Sequence, residues 1–207
     1  MLRIGVDTGG TFTDFVVLED SEVRVFKVPS TPDHPEEAVL EGLARIVENR
    51  DGFLIQHGST VATNALLERK GAKTLLITNE GFEDILEIGR QDRPQLYSLS
   101  SSRPTPLVAA DFRLGVKERT LRDGRSLMPL EKRSLDWLRR KVQELAPEAI
   151  AVVLLYSYLN PKSEKQIAEA LEFAQVPVVL SHQVLPEFRE YERTSATVIN
   201  AYLTITV

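Results

Sequence analysis

Two aspartates, two glycines and three threonines are concentrated near the start of the chain. The segment reads Asp7-Thr-Gly-Gly-Thr-Phe-Thr-Asp14 and directly follows a short apolar run. Glycine adopts positive φ and lacks a Cβ, which leaves backbone N–H groups open to an anion such as a phosphate. A carboxylate beside such a turn suits hydrated Mg²⁺, an ion that keeps several waters and takes one or two carboxylates. The pattern favours phosphate chemistry, and a plain Gly-Gly hairpin turn is its alternative.

The candidate residues of this segment have separate roles. Asp7 is the candidate catalytic acid and metal ligand, with a turn-capping aspartate as the alternative. Asp14 either joins the phosphate site or only pairs with a nearby N–H group. The candidate donors to a phosphate, through the backbone or a hydroxyl, are Thr8, Gly9, Gly10, Thr11 and Thr13.

Strands must hold this segment in place. Ile4 and Val6 alternate with Gly5 and Asp7, so Asp7 is predicted at the end of a first strand. Residues 12–18 continue as a second strand and 23–28 as a third. Dinucleotide-binding loops and P-loops join a strand to a helix, so this segment fits neither of them. The sequence therefore predicts an antiparallel meander of three strands.

A second candidate cluster lies around a predicted helix start. His57 lies at a strand end just before Gly58-Ser59-Thr60, and Asn64 lies one turn further along. The start of a helix offers N–H groups to an anion such as a substrate carboxylate, which makes His57 and Asn64 candidate catalytic residues. The alternative is that the hydroxyls only cap the helix and that His57 binds a backbone carbonyl.

A third candidate cluster lies in a loop between a glycine and a proline. Arg90, Asp92 and Arg93 are the candidate substrate-binding residues there. An arginine binds a phosphate or carboxylate through two parallel hydrogen bonds, which supports that interpretation. Exposed salt bridges are the alternative.

Composition excludes several classes of function. The 207 residues carry a net charge of −5 and no cysteine, which excludes disulfides and thiolate metal sites. No basic stripe indicates a nucleic-acid partner, and no apolar run is long enough to span a membrane. Because the first strand begins at Met1, we expect no signal peptide and a cytoplasmic protein.

Five blocks of the sequence resemble the hydantoinase A and 5-oxoprolinase family. The blocks appear in family order and lie at residues 7–14, 57–71, 81–94, 157–161 and 181–195. The resemblance implies an α/β fold, with a ribonuclease-H-like N-terminal lobe of the actin and sugar-kinase ATPase type and an α/β insertion.

The order of predicted elements suggests where that insertion lies. Helix, strand, helix, strand and helix are predicted in turn over 130–145, 149–156, 162–173, 176–181 and 187–203. A ribonuclease-H-like lobe needs this order after its meander. We therefore expect a core lobe of residues 1–29 plus 131–207 and an insertion of about 30–130. The alternative makes the strands near 53 and 73 the core pair.

The same resemblance implies the use of ATP and Mg²⁺ to activate an amide or ketone carbonyl. The reaction would be hydrolysis of 5-oxoproline or a hydantoin, or carboxylation of a ketone, and the five blocks do not distinguish them. The implied partners are a second ATPase lobe and a hydantoinase B-like subunit. No second Asp-x-Gly-Gly segment occurs in the chain. We therefore expect a partial catalytic unit, with a non-catalytic lobe as the third possibility.

Overall fold

A computed structural model describes residues 1–31, 34–47, 52–92, 97 and 104–204. The chain forms two compact units, of which the first is Met1–Lys70 and the second begins at Gly71. Within the described ranges, none of the helices combines the length and the apolar character that crossing a bilayer requires.

The first unit is built around a four-stranded sheet with strand order β3-β2-β1-β4. Strands β1 and β2 are antiparallel, as are β2 and β3, and these two pairings confirm the predicted meander of three strands. Strand β4 runs parallel to β1 on its other side. The elements are β1 (Leu2–Thr8), β2 (Phe12–Glu19), β3 (Glu22–Pro29), α1 (Pro35–Ala44), β4 (Phe53–Ser59) and α2 (Val61–Leu67).

Alternation of side chains gives this sheet one buried and one open face. Along β1 the even-numbered residues from Leu2 to Thr8 are buried, whereas Arg3 and Asp7 are exposed. Helix α1 packs on the buried face, where Gly42 lies against the ring of Phe15. Successive side chains of a strand point to opposite faces, so apolar residues at every second position bury one face only. Asp7 therefore lies on the open face.

The second unit contains a four-stranded sheet in which every pairing is parallel, with strand order β10-β9-β5-β6. Strands β7 and β8 form a separate hairpin. The strands are β5 (Thr74–Asn79), β6 (Arg113–Val116), β7 (Arg119–Thr120), β8 (Ser126–Met128), β9 (Ala149–Val153) and β10 (Val178–Leu180). The helices are α3 (Ile85–Ile88), α4 (Lys132–Leu145), α5 (Lys162–Leu171), α6 (Ser181–Val184) and α7 (Glu190–Leu203).

Both faces of this parallel sheet are covered. All residues of β5 and β9 are buried, which explains why β9 reads as an unbroken apolar run rather than an alternating one. One apolar cluster packs β9 against α4 and α5, and another packs it against α7. The five elements predicted from residue 130 onward are present in the predicted order, with ends that differ by a few residues. The short helix α6 is not predicted, and it begins at Ser181, where a strand is expected.

A carboxylate lies in the interior of this unit. Glu164 is fully buried, and its two oxygens accept hydrogen bonds from the backbone N–H of Leu154, the hydroxyl of Ser181, and the backbone and ring nitrogens of His182. Arg193 is also fully buried, and its guanidinium donates to the carbonyls of Leu154 and Glu187. Burial lowers the pKa of Arg193. These charges tie α5, α6 and α7 to the end of β9.

The sheets divide the chain differently from the expected core lobe and insertion. Strand β4, which we expected inside an insertion, pairs with β1 in the first sheet. The described part of 131–207 lies in the second unit and not with residues 1–29. The alternative core pair is not formed either, because β4 and β5 belong to different sheets. The alternation of apolar and polar residues within a strand shows which of its faces is buried, but it does not show which other strand pairs with it.

Candidate functional site

The candidate phosphate turn is a tight hairpin between β1 and β2. The N–H of Gly9 donates to the carbonyl of Phe12 at 3.0 Å, which closes a turn whose central residues are Gly10 and Thr11. Both central residues are exposed. The turn therefore presents backbone to solvent at the ends of two strands.

The two glycines serve this turn through their lack of a side chain. Neither Gly9 nor Gly10 has a positive φ, so the left-handed backbone that glycine permits is not used here. A Cβ at position 9 would lie 3.1 Å from the Phe12 carbonyl oxygen, closer than most side chains allow. At position 10 the nearest atom to a Cβ would be the Asn64 amide nitrogen, at 3.6 Å. Gly9 thus permits the close turn, and Gly10 leaves the backbone next to Asn64 uncovered.

The two aspartates lie side by side on the open face of the first sheet. Asp7 and Asp14 are direct register partners across β1 and β2. Asp7 is exposed, and its carboxylate has no hydrogen-bond or ion-pair partner in the described part of the chain. Lys27 lies 3.4 Å from the Asp14 carboxylate and partly offsets its charge. Like charges directly opposite each other destabilise a strand pair, which makes this a favourable place for a cation.

Two of the threonines point to the other face. Thr8 and Thr13 are register partners, and both are buried. The Thr8 hydroxyl lies 2.9 Å from the ring nitrogen Nε2 of His57, and the Thr13 hydroxyl lies 3.0 Å from that of Ser30. The structure therefore separates the predicted phosphate donors, with Gly10 and Thr11 exposed at the turn and these two hydroxyls engaged inside.

Ser30 is a residue of this site that sequence reasoning missed. It follows β3 directly, and its backbone N–H donates to the carbonyl of Thr11 at 2.9 Å. Its hydroxyl donates to the carbonyl of Gly9 at 2.8 Å. The sequence gives no local signal for this role, because the partner Gly9 lies 21 residues away in the chain.

The helix start near His57 is less open than expected. The N–H of Thr60 donates to the carbonyl of Thr8 at 3.1 Å, and the N–H of Val61 donates to the hydroxyl of Ser59 at 3.2 Å. Two of the amides that we expected to face a ligand are therefore already paired. His57 binds the Thr8 hydroxyl instead of a backbone carbonyl, so its geometry is that of a residue that holds the end of β1.

Asn64 lies beside the turn. Its amide nitrogen donates to the Thr60 hydroxyl at 3.4 Å and is the nearest described atom to the open side of Gly10. Because β1 and β4 are parallel, their carboxyl ends meet at the same edge of the sheet. Asp7, His57 and Asn64 all lie near this edge, but His57 shares the face of Val6 and Thr8, which is opposite to the face of Asp7.

Arg90 is engaged in the second unit. Its guanidinium donates to the Glu192 carboxylate at 2.7 Å, and it lies over the ring of Tyr191 at 5.9 Å. This hydrogen bond raises the pKa of Arg90 and holds the pKa of Glu192 below its usual range. For Arg90, the structure thus contains an exposed salt bridge, which is the alternative to substrate binding. Asp92 is exposed, whereas Arg93 lies outside the described residues.

Replacing Arg90 with glutamine is expected to raise the pKa of Glu192. The depressed pKa means that the pair stabilises the fold above the ordinary glutamate pKa, and that this contribution is lost as the pH falls through the folded-state value. NMR titration of the Glu192 carboxyl carbon measures the shift. The control is Arg45→Gln, which removes an exposed arginine paired with Glu41 in the first unit. An unchanged Glu192 pKa in Arg90→Gln would contradict the assigned pair.

Metal binding by a cage of side chains is not indicated. No group of three or more histidine, aspartate or glutamate side chains suited to a metal occurs among the residues that the structure describes. Mg²⁺ needs no such cage, because it retains water and takes one or two carboxylates. Asp7 with Asp14 beside it fits that requirement.

Comparison with known proteins relates the chain to one protein family. Residues 3–174 match the family model described as hydantoinase/oxoprolinase N-terminal region. The chain is 37% identical to caprolactamase subunit alpha of Pseudomonas jessenii, with 97% of this chain and 31% of the relative covered. It is 34% identical to 5-oxoprolinase 1 of Arabidopsis thaliana, with 98% and 19% covered. The chain thus spans less than a third of the length of these relatives.

Two solved structures share its fold. ATP-dependent caprolactamase from Pseudomonas jessenii has a TM-score of 0.83 at 35% identity, with 98% of this chain and 31% of that one covered. A nucleotide-free acetone carboxylase, solved in a study of ATP-dependent acetone carboxylation, has a TM-score of 0.87 at 28% identity, with 98% and 32% covered. These likenesses confirm the expected α/β, ribonuclease-H-like fold class of actin-type ATPases. The chain therefore belongs to the hydantoinase/oxoprolinase family, of which it carries the N-terminal region.

Proposed function

We propose that this chain is the first phosphate-binding lobe of an ATP-dependent enzyme that opens a cyclic amide. The observation that carries the proposal is the β1–β2 hairpin, which exposes Gly10 and Thr11 near the Asp7 carboxylate, a group without a partner among the described residues. Phosphoryl transfer depends mainly on positioning and on neutralising charge, and a turn with open amides beside a carboxylate serves both needs. The proposed substrate is a lactam, such as 5-oxoproline, or a hydantoin. The name of the family and the names of two relatives, caprolactamase and 5-oxoprolinase, support this substrate class.

The proposed cofactors are ATP and Mg²⁺. Asp7 would hold the ion through one of its waters, with Asp14 as the neighbouring carboxylate, and the bound ion would neutralise phosphate charge. The turn from Gly9 to Thr11 would receive the phosphate oxygens. Thr8 and Thr13 would support the turn from its buried side, since their hydroxyls already bind His57 and Ser30.

The remaining candidates have supporting roles in this proposal. His57 would keep Thr8, and so the end of β1, in place, and Asn64 would offer its amide next to Gly10. Arg90, Asp92 and Arg93 would bind the substrate. Because Arg90 already binds Glu192, it would accept a substrate carboxylate only by exchanging that partner.

A second candidate function keeps the ATP chemistry and changes the product. The likeness to acetone carboxylase, with its TM-score of 0.87, favours a ketone carboxylase subunit. In both cases the chain would need a second ATPase lobe and a hydantoinase B-like subunit. The name of caprolactamase subunit alpha, which implies at least one further subunit in that enzyme, supports such an assembly.

Turnover of ATP by the completed enzyme tests these functions. This chain joined to the polypeptides that complete it would be assayed with 5-oxoproline, hydantoins, lactams and ketones, with and without bicarbonate. Stimulation by a cyclic amide without bicarbonate supports the amidohydrolase, and stimulation by a ketone only with bicarbonate supports the carboxylase. Failure of every substrate would remove both and leave a non-catalytic lobe.

Replacing Asp7 with asparagine is expected to weaken Mg·ATP binding roughly tenfold, because the ion loses a charged ligand. Calorimetric titration of the chain with Mg·ATP, and with ATP plus EDTA, measures the effect. The affinity for metal-free ATP should change little. The matched control is Asp20→Asn, which neutralises an exposed turn aspartate of the same unit. Equal Mg·ATP affinities for Asp7→Asn and the unmodified chain would remove Asp7 from the metal site.

A further inference from the structure

The backbone of the hairpin turn is anchored by one residue. Two of its carbonyls, those of Gly9 and Thr11, accept hydrogen bonds from Ser30, one from the hydroxyl and one from the backbone N–H. Ser30 is partly buried at the end of β3. It therefore contacts the turn from the side opposite to the exposed backbone.

This anchoring determines where two amides point. A trans peptide is planar, so the N–H of each residue points opposite to the carbonyl of the residue before it. No cis peptide bond occurs in the described residues. Because the Gly9 carbonyl faces Ser30, the N–H of Gly10 points away from it. For the same reason the N–H of Phe12 points away from Ser30, since the Thr11 carbonyl is bound there.

A second hydroxyl supports this arrangement. Ser30 has one hydroxyl proton, and it is donated to the Gly9 carbonyl. The hydrogen bond of 3.0 Å between Thr13 and Ser30 must therefore be donated by Thr13. Thr13 is fully buried, so this chain of hydrogen bonds starts in the interior and ends at the turn. Each donor in such a chain strengthens the next one.

We infer that Ser30 is a positioning residue that directs the N–H groups of Gly10 and Phe12 at a phosphate group. The inference rests on the proposed ATP site and adds to it the residue that orients its backbone. Ser30 does not touch the ligand itself. Thr13, one of the predicted phosphate donors, acts in this arrangement as the residue that orients Ser30.

The first test measures the amide directions without any ligand. Residual dipolar couplings of the Gly10 and Phe12 N–H groups are compared in the unmodified chain, Ser30→Ala, Thr13→Val and Ser30→Thr. Ser30→Ala should change the Gly10 coupling, Thr13→Val should change it less, and Ser30→Thr should leave it as in the unmodified chain because it keeps the hydroxyl. The Phe12 coupling should change little in all three variants, because the Thr11 carbonyl is bound by the backbone N–H of residue 30, which every variant keeps. The couplings of Ile4, in the core part of β1, should stay constant. An unchanged Gly10 coupling in Ser30→Ala would overturn the inference.

The second test measures binding of Mg·ATP and of inorganic triphosphate by calorimetry. Ser30→Ala should weaken both by about tenfold, the effect of losing one hydrogen bond in the site. Ser30→Thr should bind as the unmodified chain does. The control is Ser126→Ala, which removes an exposed hydroxyl from the second unit. Full affinity in a folded Ser30→Ala would overturn the inference.

The two tests also separate this inference from the proposed function. If the unmodified chain binds neither probe, the ATP site of the isolated chain fails, and the role of Ser30 as the orienting residue is still decided by the couplings. If both probes bind and the couplings change without any loss of affinity, the amides are oriented by Ser30 but do not receive the phosphate, which overturns the inference.

Discussion

Replacing Glu164 with glutamine is expected to destabilise the second unit by about 3 kcal/mol. The carboxylate accepts four hydrogen bonds in a fully buried position, two at each oxygen. A glutamine of the same shape places an NH₂ group against one of these donor pairs, so that donors face donors without water to satisfy them. The loss is large because the site is buried and every partner is fixed by α5, α6 or the end of β9.

Fluorescence of Trp137, the chain's one tryptophan, reports on this change. Trp137 packs against the apolar core of the second unit, so urea unfolding followed by its emission measures the stability of that unit. The matched control is Glu169→Gln on the exposed side of the same helix, with an expected change within about 0.5 kcal/mol. Equal losses of unfolding free energy in the two variants would show that the buried hydrogen bonds of Glu164 contribute no additional stability.

Replacing Gly42 with alanine is expected to destabilise the first unit by about 2 kcal/mol. Two effects compete at this position. Alanine is the better helix former by about 1 kcal/mol. However, its Cβ would overlap the fully buried ring of Phe15, and overpacking of a filled core costs about 1–3 kcal/mol or more. The overlap prevails because Phe15 is also stacked on Phe26, with ring centroids 4.9 Å apart, and has little room to move.

Amide hydrogen exchange of β1 measures the effect, because the first unit contains no tryptophan. The control is Gly5→Ala in the same sheet, where the nearest atoms to a new Cβ lie at an ordinary 3.8 Å. The double variant Gly42→Ala with Phe15→Leu should recover part of the loss, because the smaller side chain leaves room for the Cβ. Additive losses in that double variant would exclude the steric explanation.

The strands of this structure could be predicted from the sequence to a greater extent than the contacts of its candidate site. The alternation of Ile4 and Val6 with Gly5 and Asp7 was enough to place Asp7 near the end of a strand. The same alternation puts Thr8 on the face of Ile4 and Val6, but it does not reveal the hydrogen-bond partners of the Thr8 and Thr13 hydroxyls. Their partners, His57 and Ser30, lie 49 and 17 residues away along the chain, and such contacts depend on which strands pair.

Strand pairing itself was the part that the sequence left open. The apolar runs of β5 and β9 indicated buried strands, but their parallel arrangement depends on the helices and loops between them. Strand β4 has the same length as β1, but nothing in its residues identifies β1 as its partner. The buried charges of the second unit were equally hidden, because Glu164 and Arg193 look in the sequence like surface residues of amphipathic helices.

Through the register of β1 against β2, the packing of the core determines which charged side chains lie together at the site. Asp7 and Asp14 face the same side only because Val6, Thr8, Thr13 and Phe15 face the other. A slip of one residue in either strand would exchange the two faces of that strand, bury one carboxylate and expose its apolar neighbours. The packing of the buried face therefore sets the distance between the two carboxylates. A substitution in that face can alter the affinity for a metal ion even though Asp7 and Asp14 are unchanged.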